Sequence, residues 1–403
     1  MQLQRYSIET DGVRGESVKA MRIAYVVNHC AFFVSHRLPL ALTARQEGFA
    51  VHLLTGQAGS QEMEQIAVAE LQEAGVPYQR TVFRSSGMNP VVELLGVLQL
   101  VWLMLKFRPD LVHCASPKGV LYGGIAARIC RISALVMAVS GMGYAYTQGT
   151  DSGARIWVRR IYNALAGFAF HHPNSRIIVQ NQDDRQAVIA KGLAQQSSVV
   201  LIPGSGVDLR LFADCAPVGK AHMVLLPARM LKDKGVYEFV AAARKLRALV
   251  PQWRFVMAGA AGYDNPSAIE ADELRAWQAE GCVQWLGHVD DMLPLYREAA
   301  IVCLPSYREG MPKSLLEAAA AGCAVVTTDV IGCRDSVVPG VTGDLVPVKD
   351  CAALSAALLS LIDNQVLRES YGTRGQERAK ALFSVTSVVE KTVAIYKNLL
   401  DHV

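Results

Sequence analysis

The feature that most constrains the fold of this chain is a regular alternation of short apolar runs with longer helical patterns. Runs such as RIAYVVN (22–28), AVHLLTG (50–56) and LVHCAS (111–116) are apolar along most of their length and not only at every second residue. Strands that are apolar on both faces belong to parallel sheets whose two sides are covered by helices. The alternation therefore predicts an α/β fold.

The alternation is interrupted once, which divides the chain into two domains. Residues 205–220 are polar and irregular, and the apolar runs resume with MVLLPAR at 223–229. A chain of 403 residues is also long for a single domain. We expect two sheets that face each other across a cleft. The predicted ranges are 1–20 for a disordered extension, 21–204 for the first domain, 205–220 for a linker, 221–385 for the second domain, and 386–403 for a C-terminal helix that would pack back on the first.

Composition excludes several classes of protein. Charged residues make up only 19% of the chain, and this argues against a disordered protein. Nine scattered cysteines without a C-x-x-C pair predict reduced thiols, with no disulfide framework or zinc site. The first twenty residues lack the apolar segment of a signal peptide. Zinc-finger, basic-helix and RNA-binding signatures are absent from the sequence, so we do not expect nucleic acid as a partner.

One apolar segment raises the question of a membrane. LLGVLQLVWLML (94–105) is shorter than the roughly eighteen residues that a spanning helix needs. We interpret it as a buried helix, with a helix face that rests on a bilayer as the alternative. Residues 21–210 also contain 17 Lys and Arg against 11 Asp and Glu, which favours a polyanionic or anionic-membrane partner. Three of these cations are close together in one helical pattern, at Arg155, Arg159 and Arg160.

Two glutamates, Glu309 and Glu317, flank a predicted helix start within YREGMPKSLLEAAAAG (307–322). Pro312 suits the first turn of this helix, and Gly322 suits its end. Free N–H groups and the helix dipole favour a phosphate at such an N-terminus, and a carboxylate can accept two hydrogen bonds from a vicinal diol. The stretch therefore suits a ligand with a diol, a phosphate and a second diol, such as a nucleotide sugar. The alternative is that both glutamates are solvated surface charges.

Arg229 and Lys234, in ARMLKDKG, follow the first strand of the second domain. Ligands of open α/β sheets bind at the carboxyl ends of the strands, so both cations are placed to meet one. Arginine matches phosphate oxygens with a planar fork and lysine with a point charge, and the pair could neutralise a departing diphosphate. The alternative is a salt-bridge cluster with Asp233. No D-x-D motif occurs in the sequence, and we expect neither a metal nor a cofactor.

These motifs resemble those of the family 4 retaining glycosyltransferases of the GT-B fold. The resemblance rests on Arg229 and Lys234, on GHVDDM, on the E-x7-E spacing of Glu309 and Glu317, and on TTDVIGCRDSVVPGVTGDLVPV. It implies two Rossmann-like domains, the first binding the acceptor and the second a nucleoside diphosphate sugar. It also implies that Arg229 and Lys234 bind the diphosphate, that Glu317 holds the ribose and that Glu309 faces the donor sugar.

The first half, with FFVSHRLPLA, VHCASPKG and VSGMGYAY, is similar to the branch of this family that builds capsule and O-antigen polysaccharides. That similarity implies a UDP-sugar donor, with an N-acetylhexosamine or a hexose, and an acceptor linked to undecaprenyl diphosphate or another glycan. It also implies a cytoplasmic protein at the inner face of the membrane. The sequence departs from the branch at Ser140 and Ala115, where many members have histidine.

The candidate site residues form three groups. The catalytic candidates are Glu309, Arg229 and Lys234. The candidates for binding the donor nucleotide are Arg229, Lys234, Gly259, His288, Val289, Gly310, Met311, Pro312, Lys313 and Glu317. The candidates for the sugar and the acceptor are His29, His36, His113, Ser140, Gly141 and Gly143. A structural hydrogen bond is the alternative role for each histidine, and a plain turn is the alternative for the two glycines.

The expected reaction is metal-independent glycosyl transfer with retention at the anomeric carbon. Arg229, Lys234 and the N–H groups of 310–313 would stabilise the negative charge of the leaving diphosphate. By resemblance to the family, the leaving phosphate itself deprotonates the acceptor on the same face. A GT-B-fold UDP-sugar epimerase and a non-catalytic nucleotide-sugar-binding protein are the alternatives. A Rossmann dehydrogenase is disfavoured, since neither half has G-x-G-x-x-G after a strand.

Overall fold

The structure is a computed structural model that describes residues 20–58, 61–85, 89–140, 163–262 and 265–401. The first sheet has seven strands in the order β3-β2-β1-β4-β5-β6-β7, and every pairing is parallel. Its strands are β1 (Arg22–Val27), β2 (Ala50–Gln57), β3 (Tyr78–Arg84), β4 (Leu111–Ala115), β5 (Ala134–Val139), β6 (Ser175–Val179) and β7 (Val199–Leu201). The helices between them are α1 (Cys30–His36), α2 (Leu38–Gln46), α3 (Gln61–Glu73), α4 (Pro90–Phe107), α5 (Pro117–Ile129), α6 (163–170) and α7 (Gln182–Ala190).

The second sheet has six parallel strands in the order β10-β9-β8-β11-β12-β13. These are β8 (Ala221–Pro227), β9 (Arg254–Ala258), β10 (Gln284–Trp285), β11 (Ala299–Leu304), β12 (Ala324–Thr328) and β13 (Gly343–Val346). Its helices are α8 (Val236–Arg247), α9 (Ala271–Ala279), α10 (Leu293–Glu298), α11 (Lys313–Ala320), α12 (Cys333–Ser336), α13 (Cys351–Asp363) and α14 (Gln365–Leu382), followed by α15 (Val385–Leu400). The α/β class predicted from the apolar runs is confirmed, with two Rossmann-like sheets.

The central strands are buried along their whole length. All residues of β4, β5, β11 and β12 are buried, as the continuous apolar runs require. Helices cover both sides of each sheet, so a strand in the middle has no face left for water. In the first domain, α1, α2, α3 and α15 cover one side and α4 and α5 the other. This arrangement leaves the carboxyl ends of the strands open toward the second domain.

The last helix of the chain, α15, packs on the first domain. Its residues Val388, Val393 and Tyr396 are buried in the same core as Tyr25 of β1. The Tyr396 hydroxyl lies 2.6 Å from Nδ1 of His113 and 3.2 Å from the Tyr25 hydroxyl. The chain therefore returns to the first domain after it has completed the second.

The chain crosses between the two domains at two adjacent places. Val207 N donates to Phe383 O at 2.7 Å, and Val385 N donates to Val207 O at 2.9 Å. Gly206 has a φ of +82°, and a Cβ there would lie 2.5 Å from Cα of Val385, so a side chain is excluded. The predicted linker of 205–220 contains a short 3-10 helix, Leu209–Phe212.

The interpretation of residues 94–105 as a buried helix is wrong. They lie in α4, which buries Gly96, Leu100, Leu103 and Met104 and exposes large apolar side chains on its opposite side. By length and composition, α4 is the one helix among the described residues that could cross a membrane, and only 22% of it is buried. Apolarity predicted the helix correctly but not which surface would cover it.

Candidate active site

The loop after β11 is where the second domain contacts the first. A Cβ at Gly310 would lie 2.7 Å from the carbonyl carbon and oxygen of Ser140, which follows β5. Asn181 follows β6, and its Nδ2 donates to Gly310 O at 2.8 Å. Lys313 Nζ donates to the carbonyl oxygen of Ser35 at 3.1 Å. The carboxyl ends of both sheets therefore meet at one cleft, as the positions of the candidate residues require.

Lys234 and Glu309 form an ion pair inside this cleft. Lys234 Nζ contacts Glu309 Oε1, and Ser306 Oγ donates to the same oxygen at 2.6 Å. The side chains of the pair are only 19% and 12% exposed, so water screens them poorly. Gly235 has a φ of +72°, and a side chain there would collide with Pro305 O, so the turn after Lys234 requires glycine. The turn brings the lysine of the β8 loop to the carboxylate of the β11 loop.

Arg229 of the second domain lies near enough to His29 of the first for its charge to act on the imidazole. Burial, and then the charge of Arg229, lowers the pKa of His29 to about 4. His29 Nδ1 accepts from Phe32 N at 3.2 Å, so it caps α1 as an unprotonated nitrogen. A neutral ring whose Nδ1 accepts carries its proton on Nε2. His29 can therefore offer one hydrogen-bond donor to a ligand in the cleft.

Helix α11 carries the second glutamate. Lys313 Nζ lies 3.5 Å from Glu317 Oε1, one turn along the helix. Burial, and then the adjacent Glu317 carboxylate, raises the pKa of Tyr296 well above its usual value. Gly322 follows the helix with a φ of +73°, which confirms the predicted end. The prediction that Pro312 lies in the first turn is wrong, because its extended ψ of 114° makes it the residue just before the helix.

The remaining donor candidates have different surroundings. Gly259 N donates to Gly287 O at 2.8 Å, and a Cβ at Gly259 would collide with Ala228 O where β8 and β9 end. His288 is exposed, with Nε2 at 3.2 Å from an Asp290 oxygen. Val289 and Met311 are half-buried against the core of the second domain. Gly259 therefore permits the close approach of the Ala228 backbone, whereas the side chain of His288 is exposed to solvent.

The other first-domain candidates divide into cleft and core. His36 stacks on Phe32 at 4.6 Å, and burial followed by the charges of Lys313 and Arg37 lowers its pKa to about 3. His113 is buried within β4 beneath α15, where it forms a structural hydrogen bond with Tyr396. Ala115 is also buried in β4, and Ser140 lines the cleft against Gly310. Gly141 and Gly143, with Arg155, Arg159 and Arg160, lie outside the described residues.

Sequence reasoning missed two residues that organise the cleft. Asn181 is buried, and besides its bond to Gly310 it donates to Asp184 Oδ2 at 2.8 Å. Asn28 Oδ1 accepts from Lys118 N at 3.1 Å and from Gly119 N at 3.0 Å, which caps α5. Both asparagines directly follow an apolar strand run, and this position was the available signal. In the described part of the chain no cluster of His, Cys, Asp and Glu is arranged to hold a metal ion.

Two Rossmann-like domains whose strand ends face each other across a cleft define the GT-B class of fold. Solved structures agree with this assignment. The Anabaena protein HepE, solved in complex with UDP-glucose, superposes with a TM-score of 0.72 over 94% of this chain and 99% of its own, at 19% identity. At this identity the likeness establishes the fold alone.

The chain belongs to the group 1 glycosyltransferases. The family model described as "Glycosyl transferases group 1" matches residues 221–364, and the one described as "Glycosyl transferase 4-like" matches residues 22–181. The chain is 25% identical to a Campylobacter jejuni enzyme over 95% of its length and 100% of the enzyme's. That enzyme is N,N'-diacetylbacillosaminyl-diphospho-undecaprenol alpha-1,3-N-acetylgalactosaminyltransferase. This chain is also 26% identical to the capsular polysaccharide biosynthesis glycosyltransferase CapM of Staphylococcus aureus, over 76% of this chain and 82% of CapM. The predicted class of enzyme is therefore confirmed.

Proposed function

We propose that this glycosyltransferase moves a sugar from a UDP-sugar to a lipid-linked or polysaccharide acceptor in surface-glycan synthesis, with retention and without a metal. One observation carries the proposal. Lys234 pairs with Glu309 in the loop after β11, and Lys313 pairs with Glu317 on the helix that this loop leads into. Arg229 follows the neighbouring strand β8, and its charge acts on His29 of the first domain. Three cations and two carboxylates in one cleft match a diphosphate that lies between two polyols.

The ion pair of Lys234 and Glu309 is compatible with the binding of a diphosphate donor. Lys234 has three N–H donors, and only one is needed for Glu309. The other N–H groups of Lys234 can therefore donate to a diphosphate while Glu309 holds the lysine in place. Arg229 would take other phosphate oxygens, and Glu317 would accept from the ribose hydroxyls. The solved complex of HepE with UDP-glucose supports a UDP-sugar as the donor.

The relatives support an acceptor on a lipid diphosphate. The name of the Campylobacter enzyme specifies a diphospho-undecaprenol acceptor and transfer of N-acetylgalactosamine, and CapM serves capsular polysaccharide biosynthesis. We place the acceptor against the first domain, where neutral His29 can donate a hydrogen bond from Nε2. Such an acceptor would be met at the inner face of the cytoplasmic membrane, by a protein bound there peripherally.

The test is a donor screen with the purified chain. UDP-N-acetylglucosamine, UDP-N-acetylgalactosamine, UDP-glucose and UDP-galactose are each mixed with a polyprenyl-diphosphate-linked N-acetylhexosamine, and UDP release is followed with and without EDTA. We expect release with one donor, insensitive to EDTA, and a product whose NMR coupling constant shows retention. Donor conversion without acceptor would indicate an epimerase, and UDP binding without turnover would indicate a non-catalytic protein.

Two variants test the assignment of residues. Lys234→Ala and Glu317→Gln should each reduce UDP-sugar binding and release, because each removes one partner of the charged ligand. Arg244→Gln serves as a matched control, since Arg244 bonds to Glu280 on the exposed surface at 2.7 Å. Release that is unchanged in both site variants would show that the donor binds elsewhere.

A further inference from the structure

Helix α4 presents a continuous apolar stripe to the solvent. Apart from the adjacent Leu94 and Leu95, its exposed side chains follow one another every three or four residues, which places them on one face of the helix. Each is between 52% and 64% exposed, although the opposite face of the helix is fully packed. Over about 14 residues the stripe extends for about 21 Å. Its members are Val91, Leu94, Leu95, Leu98, Trp102 and Leu105.

The rim of this stripe is cationic. Arg84 lies at the end of β3 and Lys106 in the last turn of α4. Arg108 follows the end of α4 and Arg131 the end of α5, and all four side chains are exposed. Lys106 Nζ lies 5.2 Å from the centre of the Trp102 ring. Tryptophan and lysine side by side are typical of residues at the level of lipid headgroups.

Acidic residues at this face are few and already paired. Helix α4 contacts β3 and α5, and the only Asp or Glu in these three elements is Glu93. Glu93 Oε1 lies 2.6 Å from Lys118 Nζ. Asp110, just after α4, is paired with Arg22. Positive charge around an apolar strip complements a surface with anionic phosphates.

We propose that the α4 stripe is the surface with which this protein docks on an anionic lipid bilayer. This docking surface would hold the protein at the membrane where its lipid-linked acceptor is met, and the proposal therefore rests on the proposed function. Helix α4 begins after β3, at the edge of the sheet that faces the cleft. A bilayer against α4 therefore extends to the mouth of the cleft, where a lipid-linked acceptor would enter.

A second copy of the chain fits this surface less well than lipid does. Cations stand at both ends of the stripe, with Arg84 near its start and Lys106 and Arg108 at its end. Two stripes packed parallel would oppose like ends, and two packed antiparallel would also place cation against cation. Like charges at close range oppose association. Anionic headgroups meet both ends favourably.

The experiment measures co-sedimentation of the full chain with two kinds of vesicle. One is made of phosphatidylcholine alone, and the other of phosphatidylcholine mixed with anionic phosphatidylglycerol. We expect binding to the anionic vesicles, weakened by salt. Leu98→Gln with Trp102→Gln should weaken binding at least about tenfold, because each side chain still has about half its surface to bury. Lys106→Glu with Arg84→Gln should weaken binding to anionic vesicles about tenfold and change binding to neutral ones little.

Matched controls come from the second domain. Leu249 and Val366 are 61% and 79% exposed, so Leu249→Gln with Val366→Gln replaces apolar side chains that are at least as exposed as Leu98 and Trp102 but lie in the other domain. This variant should bind vesicles like the unmodified chain. Circular dichroism melting verifies that all variants are folded.

Three results would overturn the proposal: no binding of the unmodified chain to anionic vesicles, equal losses in the stripe and control variants, or a dimer in solution that only the stripe variant dissociates. UDP release with a detergent-soluble acceptor separates this proposal from the proposed function. Release that persists in the stripe variant leaves the transferase activity standing whichever way the vesicle experiment falls.

Discussion

Replacing Gly310 with alanine tests whether the reaction needs the close contact between the domains. A Cβ at this position would lie 2.7 Å from the carbonyl carbon and oxygen of Ser140 and 3.0 Å from Oε1 of Gln180. Optimal contacts between carbon atoms are about 3.5–4.0 Å, so the two walls must separate by about 1 Å. The φ of Gly310 lies outside the left-handed region, so alanine adds volume without backbone strain.

The expected effect of Gly310→Ala falls on turnover. A misplacement of about 1 Å between reacting groups can lower a rate about a hundredfold, and we expect kcat to fall between about tenfold and that limit. UDP affinity should change less than about threefold, because alanine keeps the backbone N–H through which Gly310 is expected to contact the diphosphate. The free energy of unfolding should change by less than about 1 kcal/mol, since neither core is altered. Steady-state UDP release, calorimetric UDP binding and urea unfolding measure the three quantities.

Gly167→Ala is the control for this substitution. Gly167 lies in α6, with nothing within 4 Å of the added Cβ, so alanine there should leave kcat and UDP affinity unchanged and raise the free energy of unfolding by up to about 1 kcal/mol. Unchanged turnover in Gly310→Ala would refute this expectation, because the transfer reaction would then not need the close contact between Gly310 and Ser140. A loss of UDP affinity as large as the loss of kcat would instead show that the added methyl group obstructs the nucleotide.

Three further predictions concern the ion pair, the buried tyrosine and the histidines. Lys234→Met leaves Glu309 without its cation and should weaken UDP binding about tenfold or more, measured by calorimetry, whereas Lys232→Met on the exposed surface should not. Tyr396→Phe leaves a buried His113 nitrogen without its partner and should lower the free energy of unfolding by about 1–3 kcal/mol in urea titrations; an unchanged midpoint would contradict this. His29 has a folded pKa of about 4, below the roughly 6.5 of the unfolded chain, so the unfolded state binds its proton first. Its contribution to stability should be complete above about pH 6.5 and fall toward pH 4 by up to about 1.4 kcal/mol per pH unit. His36, whose pKa is lowered to about 3, adds its own slope over the same pH range. His29→Asn should therefore reduce the slope of urea midpoints measured between pH 7.5 and 4.5 without abolishing it, and a variant with the full slope would contradict a lowered pKa for His29.

The fold could be predicted because burial on both faces leaves a local trace. Runs such as those of β4 and β11 are apolar at consecutive positions, and only a covered parallel sheet buries such strands. The same reasoning failed for 94–105. An apolar helix face has the same sequence pattern whether the protein core or another surface covers it. Only the packing of α4 shows which of its side chains the core leaves exposed.

The candidate site could be predicted in part for a related reason. Lys234 and Glu309 follow β8 and β11, and topology makes these strands neighbours, so their meeting follows from strand ends alone. The bond from Asn181 to Gly310 could not be found in this way. It depends on the distance and angle between two domains, and no local pattern in the chain encodes these quantities.

The path of α15 has a consequence for how the protein is made. Residues of α15 complete the core on one side of the first domain, yet ribosomes synthesise them after the whole second domain. Domains usually fold in order as they emerge from the ribosome. Here the first domain must wait, with the apolar surface around Tyr25 uncovered, until residues 385–400 arrive. Its native state is therefore reached only after the second domain and α15 have been translated, and until then this apolar surface is open to chaperones.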